Sequence, residues 1–297
     1  MLNGQVGQLH RRPVPAGTLT EQTDAQLLKQ FASHDDQVAF TALVKRHGPM
    51  VLAVCRRVLQ DSHAADDAFQ ATFMVLVRKA GSLTRPELLG NWLYGVAYRV
   101  AVKARANAAR RHEYERRAPA MPTVDPMLEV TGRELRSVLD AEMSHLPEKY
   151  RAPLILCYLE GKTNEEAARL LGWPTGSMSG RLARARELLR KRLVRKGLVL
   201  SAGIFAMLLS KSSAAAAVPD SLCDSTIRGA VLFAHAAPAA AAAVSPSVTA
   251  LAEEVLKALQ FSTMKKKLSL LLAFLIIALL GLGAIAVAYS TYNRGCA

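Results

Sequence analysis

Arg181, Arg184, Arg186, Arg190, Lys191 and Arg192 crowd one short stretch of chain, with Ser177 and Ser179 just ahead of them. A guanidinium never loses its proton near neutral pH and presents only donors, in a planar fork that fits phosphate oxygens and purine edges. The chemistry on offer is therefore recognition of a polyanion, not bond making. Nothing elsewhere supplies a reaction: the chain has no Gly-rich phosphate loop, no His or Cys set at metal-ligand spacing and no nucleophile elbow. His34, His47, His63, His112 and His145 are scattered and read as surface or partly packed side chains, and Cys55, Cys157, Cys223 and Cys296 form no CxxC pair. The expectation is no catalytic residue, no metal and no cofactor.

Those arginines need a rigid support, and the residues around them specify one. Thr163 followed three residues later by Glu166 is a capping box that starts a helix. Gly172 supplies the left-handed residue that closes it, and Pro174 prevents continuation. A second helix begins near Thr175 or Ser177, with Met178, Leu182, Ala185, Leu189 and Leu193 as an apolar stripe facing its own core. The product is a helix-turn-helix. A major groove admits one helix whose N-terminal side chains meet base edges while flanking cations meet phosphates. Ser177, Ser179, Arg181 and Arg184 are assigned to the groove; Arg186, Arg190, Lys191 and Arg192 go to phosphates or solvent. Gly180 costs such a helix about 1 kcal/mol against Ala, which fits either close approach to DNA or a tolerated surface position.

The balance of the chain agrees with an anionic partner. Its 297 residues carry a net charge of +14, and the 51% hydrophobic content excludes wholesale disorder. Nucleic acid and an anionic membrane surface both suit that charge. Met1 to Thr20 holds no apolar run and so no secretory signal, which keeps the N-terminal part in the cytoplasm. Leu268–Tyr289 is a charge-free apolar run of 22 residues, long enough as a helix to cross a hydrocarbon core of about 30 Å. Lys265, Lys266 and Lys267 precede it and only Arg294 follows, so the positive-inside bias leaves the N-terminal bulk in the cytoplasm, with Tyr289 and Tyr292 at the far interface. The expected location is the cytoplasmic membrane, spanned once. Leu198 to Leu209 is too short to span and reads as a membrane-lying or core-packed helix.

The fold class expected is all-α. Residues 1–22 read as a disordered N-terminus and 23–117 as a first helical domain. Residues 118–132 form a Pro-containing linker and 133–197 the helix-turn-helix domain, followed by an alanine-rich, low-complexity tether over 198–263 and the membrane segment over 264–297. Late in the tether, Ser247 to Gln260 regains a helical pattern through Val248, Leu251, Val255, Leu256 and Leu259. Inside the first domain, Asp61-Ser62 caps a helix with Ala65, Phe69, Thr72, Phe73, Leu76 and Val77 on one side. A long basic helix from Asn91 carries Trp92, Tyr94 and Tyr98 among Arg99, Lys103, Arg105, Arg110 and Arg111. Cations with flat rings suit strand-separated DNA, while rings at helical spacing also suit a core. Both readings stand for Trp92 and Tyr94.

Three motifs in order, DDAFQATFMVL, NWLYGVAYRVAVKARANAARR and the block from Leu146 to Leu193, resemble a bacterial sigma factor of the extracytoplasmic-function (ECF) group of the sigma-70 family, over roughly Thr23 to Arg195. The resemblance implies that Asp66, Asp67, Gln70 and Phe73 dock on the clamp helices of core RNA polymerase. It also implies that the loop from Gly81 and the residues Asn91, Trp92, Tyr94, Tyr98, Arg99, Lys103 and Arg105 capture the minus-ten strand, and that Ser177, Ser179, Arg181, Arg184 and Arg186 read the minus-thirty-five element beside the polymerase flap. Ala71 replaces a usual acidic residue, and Arg99 and Lys103 replace a usual Asn and Asp, so the minus-ten base preference does not carry over. Nothing after Gly197 belongs to a minimal sigma factor; a membrane tether there suits control by an envelope signal, through an anti-sigma factor or a protease. The competing function is a membrane-anchored helix-turn-helix regulator that binds operators without polymerase.

Overall fold

The computed structural model describes residues 22–59, 61–115, 132–198, 217–234 and 245–261. The N-terminal segment 1–21, most of the linker, nearly all of Leu198–Leu209 and the apolar run Leu268–Tyr289 lie outside the described residues. Every regular element among the described residues is helical.

The first four helices are α1 (Asp24–His34), α2 (Gln37–Val58), α3 (Ser62–Lys79) and α4 (Leu89–Glu115). Their starts follow from short polar side chains. Thr23 caps α1 in a box with Gln26, Asp36 accepts from the amides of Val38 and Ala39, and Asp61 accepts from that of His63. Asp35, at φ 50°, ends α1 and lets α2 turn back. Helix α2 runs through Gly48-Pro49 without a break. Among the described residues α2 alone is long and apolar enough to cross a membrane, but most of it is buried as the central helix of this domain. Phe31, Phe40, Phe73 and Phe69, in that order, pack in a chain of rings with centroids 4.8, 6.3 and 5.0 Å apart, the tilted and edge-on geometry that aromatic quadrupoles favour.

The second group comprises α5 (Gly132–Ser144), α6 (Glu148–Leu154), α7 (Asn164–Leu171) and α8 (Thr175–Arg195). Pro153 sits inside α6, which widens into a π-helical turn over Ile155–Leu159. Two further helices lie beyond: α9 (Asp220–Ala234) and α10 over 246–261. Helix α9 stands inside the stretch read as a low-complexity tether, whereas α10 covers Ser247 to Gln260, where Val248, Leu251, Val255, Leu256 and Leu259 keep a helical spacing. Pro219-Asp220 starts α9, and Leu222, Cys223, Thr226, Gly229, Ala230 and Phe233 form a buried stripe at spacings of one, three and four. Composition alone hid that period among alanines. The described residues through Ala252 form one compact unit; residues 253–261 belong to a second.

Candidate nucleic-acid interface

The helix-turn-helix is built as its residues dictate. Thr163 Oγ1 accepts from the Glu166 amide at 3.2 Å and Glu166 Oε2 accepts from the Thr163 amide at 2.8 Å, closing the capping box. These bonds hold the exposed Glu166 carboxyl below its ordinary value. Gly172 takes φ 67°, and the Trp173 amide donates to the Ala168 carbonyl, ending α7. Met178, Leu182, Ala185, Leu189 and Leu193 of α8 are all buried, each large side chain contributing roughly 1.5–3 kcal/mol by leaving water.

The opposite side of α8 is open. Ser179, Gly180, Arg184 and Arg186 are exposed, and a Cβ added at Gly180 would meet nothing within 4 Å. Arg181 lies over the Trp173 ring, its guanidinium carbon 4.0 Å from the centroid, a cation–π contact that fixes its direction. Ser177, half-buried, donates to the Pro174 carbonyl at 2.9 Å, a bond that ties its hydroxyl to the turn. Arg186 Nη1 stands 3.4 Å from the Tyr158 hydroxyl. Among the five residues assigned to this surface, Arg184 and Ser179 are the two presented most freely.

Residues assigned to strand capture are divided. Tyr94 is wholly buried and donates its hydroxyl to Asp140 Oδ1 at 2.9 Å. Arg57 donates from Nε and Nη2 to the same carboxylate at 2.5 and 3.1 Å. Burial and the nearby Asp140 carboxylate push the Tyr94 phenol well above its ordinary value, so it remains a donor. Burial disfavours the Arg57 charge, but Asp140 outweighs burial and raises its value. Tyr94 is thus a core residue joining α4 to α5, not a stacking platform. Asn91 is also buried, its Oδ1 without a hydrogen-bond partner. Trp92, Tyr98 and Lys103 are half-buried, whereas Arg99 and Arg105 lie on the exposed side of α4. Partial burial and the like charge of Arg151 lower the Arg99 value, but an arginine there stays cationic. Arg105 lines a cleft of about 690 Å³ together with Arg111, Asp67 and Ser247.

The residues assigned to polymerase docking fall on two faces of α3. Asp66 and Asp67 are half-buried, with Arg56 3.9 Å from Asp66, too far for a hydrogen bond. Asp67 Oδ2 accepts from Ser247 at 2.6 Å, and Gln70 donates to Ser225 at 3.2 Å. Phe73 points elsewhere. It is fully buried against Phe40 and Phe69, because a step of six residues from Asp67 turns it about 120° around a helix of 3.6 residues per turn. The face shared with Asp67 and Gln70 belongs to Ala71, Met74 and Arg78 instead.

Sequence reasoning also missed how the two domains meet. Leu88, from the loop before α4, is buried in one cluster with Ala152, Leu156, Ala167, Ala168, Leu171 and Met178. Arg85 Nη2 reaches the carbonyls of Leu170 and Leu171 at 3.5 and 3.4 Å. Glu160 packs over bare Gly90, where a Cβ would lie 1.9 Å from its Oε1; that oxygen is buried without a hydrogen bond, and burial raises the carboxyl above its ordinary value. No local pattern announces contacts between residues so distant along the chain.

Two family models match in chain order: Sigma-70 region 2 over residues 43–111 and Sigma-70, region 4 over residues 136–189. Among curated relatives, the chain is 30% identical over 174 residues to the ECF RNA polymerase sigma factor SigM of Mycobacterium tuberculosis, covering 58% of this chain and 86% of the relative. It is 26% identical over 186 residues to the RNA polymerase sigma-H factor of Pseudomonas aeruginosa, covering 59% and 96%. With the ECF RNA polymerase sigma factor SigW of Bacillus subtilis it shares 26% identity over 171 residues, covering 53% and 90%. An all-helical first domain, a helix-turn-helix with an open basic face and these matches lead to one conclusion: the chain belongs to the sigma-70 family of RNA polymerase sigma factors, in its ECF group, with core RNA polymerase and promoter DNA as its partners.

Proposed function

We propose that this chain is a membrane-tethered initiation factor in which α8 reads the minus-thirty-five element, the exposed side of α4 holds the minus-ten strand and the face of α3 bearing Asp67 and Gln70 docks on the polymerase clamp. The observation that carries the reading is α8 itself. Its buried stripe is complete, while Ser179 and Arg184 stand free on the other side and Arg186 is exposed beside them, as groove entry by a recognition helix requires. Arg99 and Arg105 supply phosphate contacts on α4.

The tether is supported by the apolar run Leu268–Tyr289 behind Lys265, Lys266 and Lys267. It would keep the DNA-reading domains on the cytoplasmic face and subject to an envelope signal. Recovery of the full-length chain from membranes, with the N-terminal domains open to protease only from the cytoplasmic side, is the expected result; a soluble full-length chain removes this part of the reading.

Run-off transcription from a promoter library with saturating core RNA polymerase tests the initiation role. Initiation at a defined set of promoters is expected, and it should fall when Arg181 and Arg184 are both changed to Ala. No initiation, together with tight duplex binding in the absence of polymerase, would make the chain an anchored regulator.

A further inference from the structure

We propose that α9 and the beginning of α10 form a built-in mask over the polymerase-docking face of α3, so that the chain carries its own inhibitor of core-enzyme binding. The proposal rests on the assignment of that face to the polymerase clamp.

Asp67, Gln70, Ala71, Met74 and Arg78 recur at spacings of three and four and share one face of α3, turned away from the Phe40, Phe69 and Phe73 rings. In a four-helix domain this face would meet water. Here its polar groups are engaged by residues from beyond the helix-turn-helix: Ser247 donates to Asp67, Ser225 accepts from Gln70, and Phe233 lies under the Arg78 guanidinium at 4.6 Å. Ala71 and Met74, between those contacts, have no exposed surface. Just ahead of α9, Val218 closes on Gly48, where an added Cβ would lie 3.2 Å from its side chain. Along α3 the cover therefore spans Asp67 to Arg78, and it continues onto α2 at Gly48.

The contacts suit a cover that lifts. The centre of the α9 stripe is Thr226, Gly229 and Ala230, small residues that leave little apolar surface behind when they separate, and Thr226 satisfies its hydroxyl within its own helix at the Leu222 carbonyl. On α3, Asp67 and Gln70 are held by neutral serine hydroxyls and by no ion pair among the described residues, so a polymerase cation or amide can replace them without stranding a buried charge. The segment is also what this chain adds: the sigma-70 region matches end at residue 189. If the face is open in about one molecule in a hundred, apparent affinity for core enzyme is about a hundredfold weaker than that of the open form.

The test is core RNA polymerase binding by the full-length chain in detergent, comparing the unaltered protein with Ala230→Glu, which puts a carboxylate on a fully buried position of α9. At least a tenfold gain in apparent affinity is expected, with loss of hydrogen-exchange protection along α3. Phe233→Ala, which removes the ring under Arg78 without adding charge, should give a smaller gain in the same direction and guards against misfolding of the first variant. Equal, tight binding by all three chains would overturn the mask and leave the sigma-factor reading intact. Failure of all three to bind core enzyme would overturn both.

Discussion

Helices α3 and α8 are each buried along one stripe, and they differ in what becomes of the other side. On α8 the outer face is arginine, serine and glycine in open solvent. On α3 the outer face is covered until even Ala71 and Met74 are fully buried. A helix that meets DNA presents charge, which water solvates well, and it can wait uncovered. A docking helix whose middle is alanine and methionine exposes apolar surface that attracts unintended partners. The same fold principle, one stripe in and one out, therefore leaves one helix open and the other covered, as the proposed roles of reader and dock require.

The largest way to break this comparison lies between the two helices, at Asp140. Asp140→Ala leaves Arg57 as a buried, unpaired cation and should destabilise the chain by about 3–5 kcal/mol in chemical denaturation. Hydrogen exchange should rise around α2, α4 and α5, where the pair sits, while the cover on α3 keeps its protection. Simultaneous release of α3 would show that the mask depends on the domain contact.

Arg184→Ala sharpens the open side. Promoter binding by the polymerase complex should weaken by about 1–3 kcal/mol, with no change in melting temperature, because Arg184 is exposed. A drop in stability would mean that this face is less open than described.

Glu160→Gln acts at the meeting of the domains through pH. Burial raises the Glu160 carboxyl above its ordinary value of 4.5, so the folded chain holds this proton more tightly than the unfolded chain. Stability then falls as pH rises from the ordinary value through the raised one. Glutamine carries no such loss, and the variant should be more stable by about 1–3 kcal/mol at pH 7, the gap closing on acidification. A gap independent of pH would assign the effect to packing. Thr163→Ala is the smallest test: losing the cap should cost about 1 kcal/mol and loosen α7 against α8, read as a modest fall in promoter affinity at constant charge.

What could be read from sequence was what neighbours in the chain decide. The Thr163 cap, the Gly172 turn and the five-residue stripe of α8 are local, and each is found where its spacing places it. Tyr94 could be read either way because its partner, Asp140, lies 46 residues on in another helix. The resemblance groups Phe73 with Asp67 and Gln70, and only the angle around α3 separates them. The stripe in α9 was hidden by alanine-rich surroundings, although Leu222, Thr226, Ala230 and Phe233 keep a helical period that composition obscures.

Leu88 couples two acts that are usually pictured as separate. Its side chain plugs the flank of the helix-turn-helix, packed among Ala152, Leu156, Leu171 and Met178, yet it belongs to the loop that leads into α4. If that loop moved toward an unwound strand, as the role proposed for α4 requires, the stopper would be withdrawn and an apolar hole left beside α8. Under the roles proposed above, engagement at one promoter box would then be felt at the other through the packing of a single leucine.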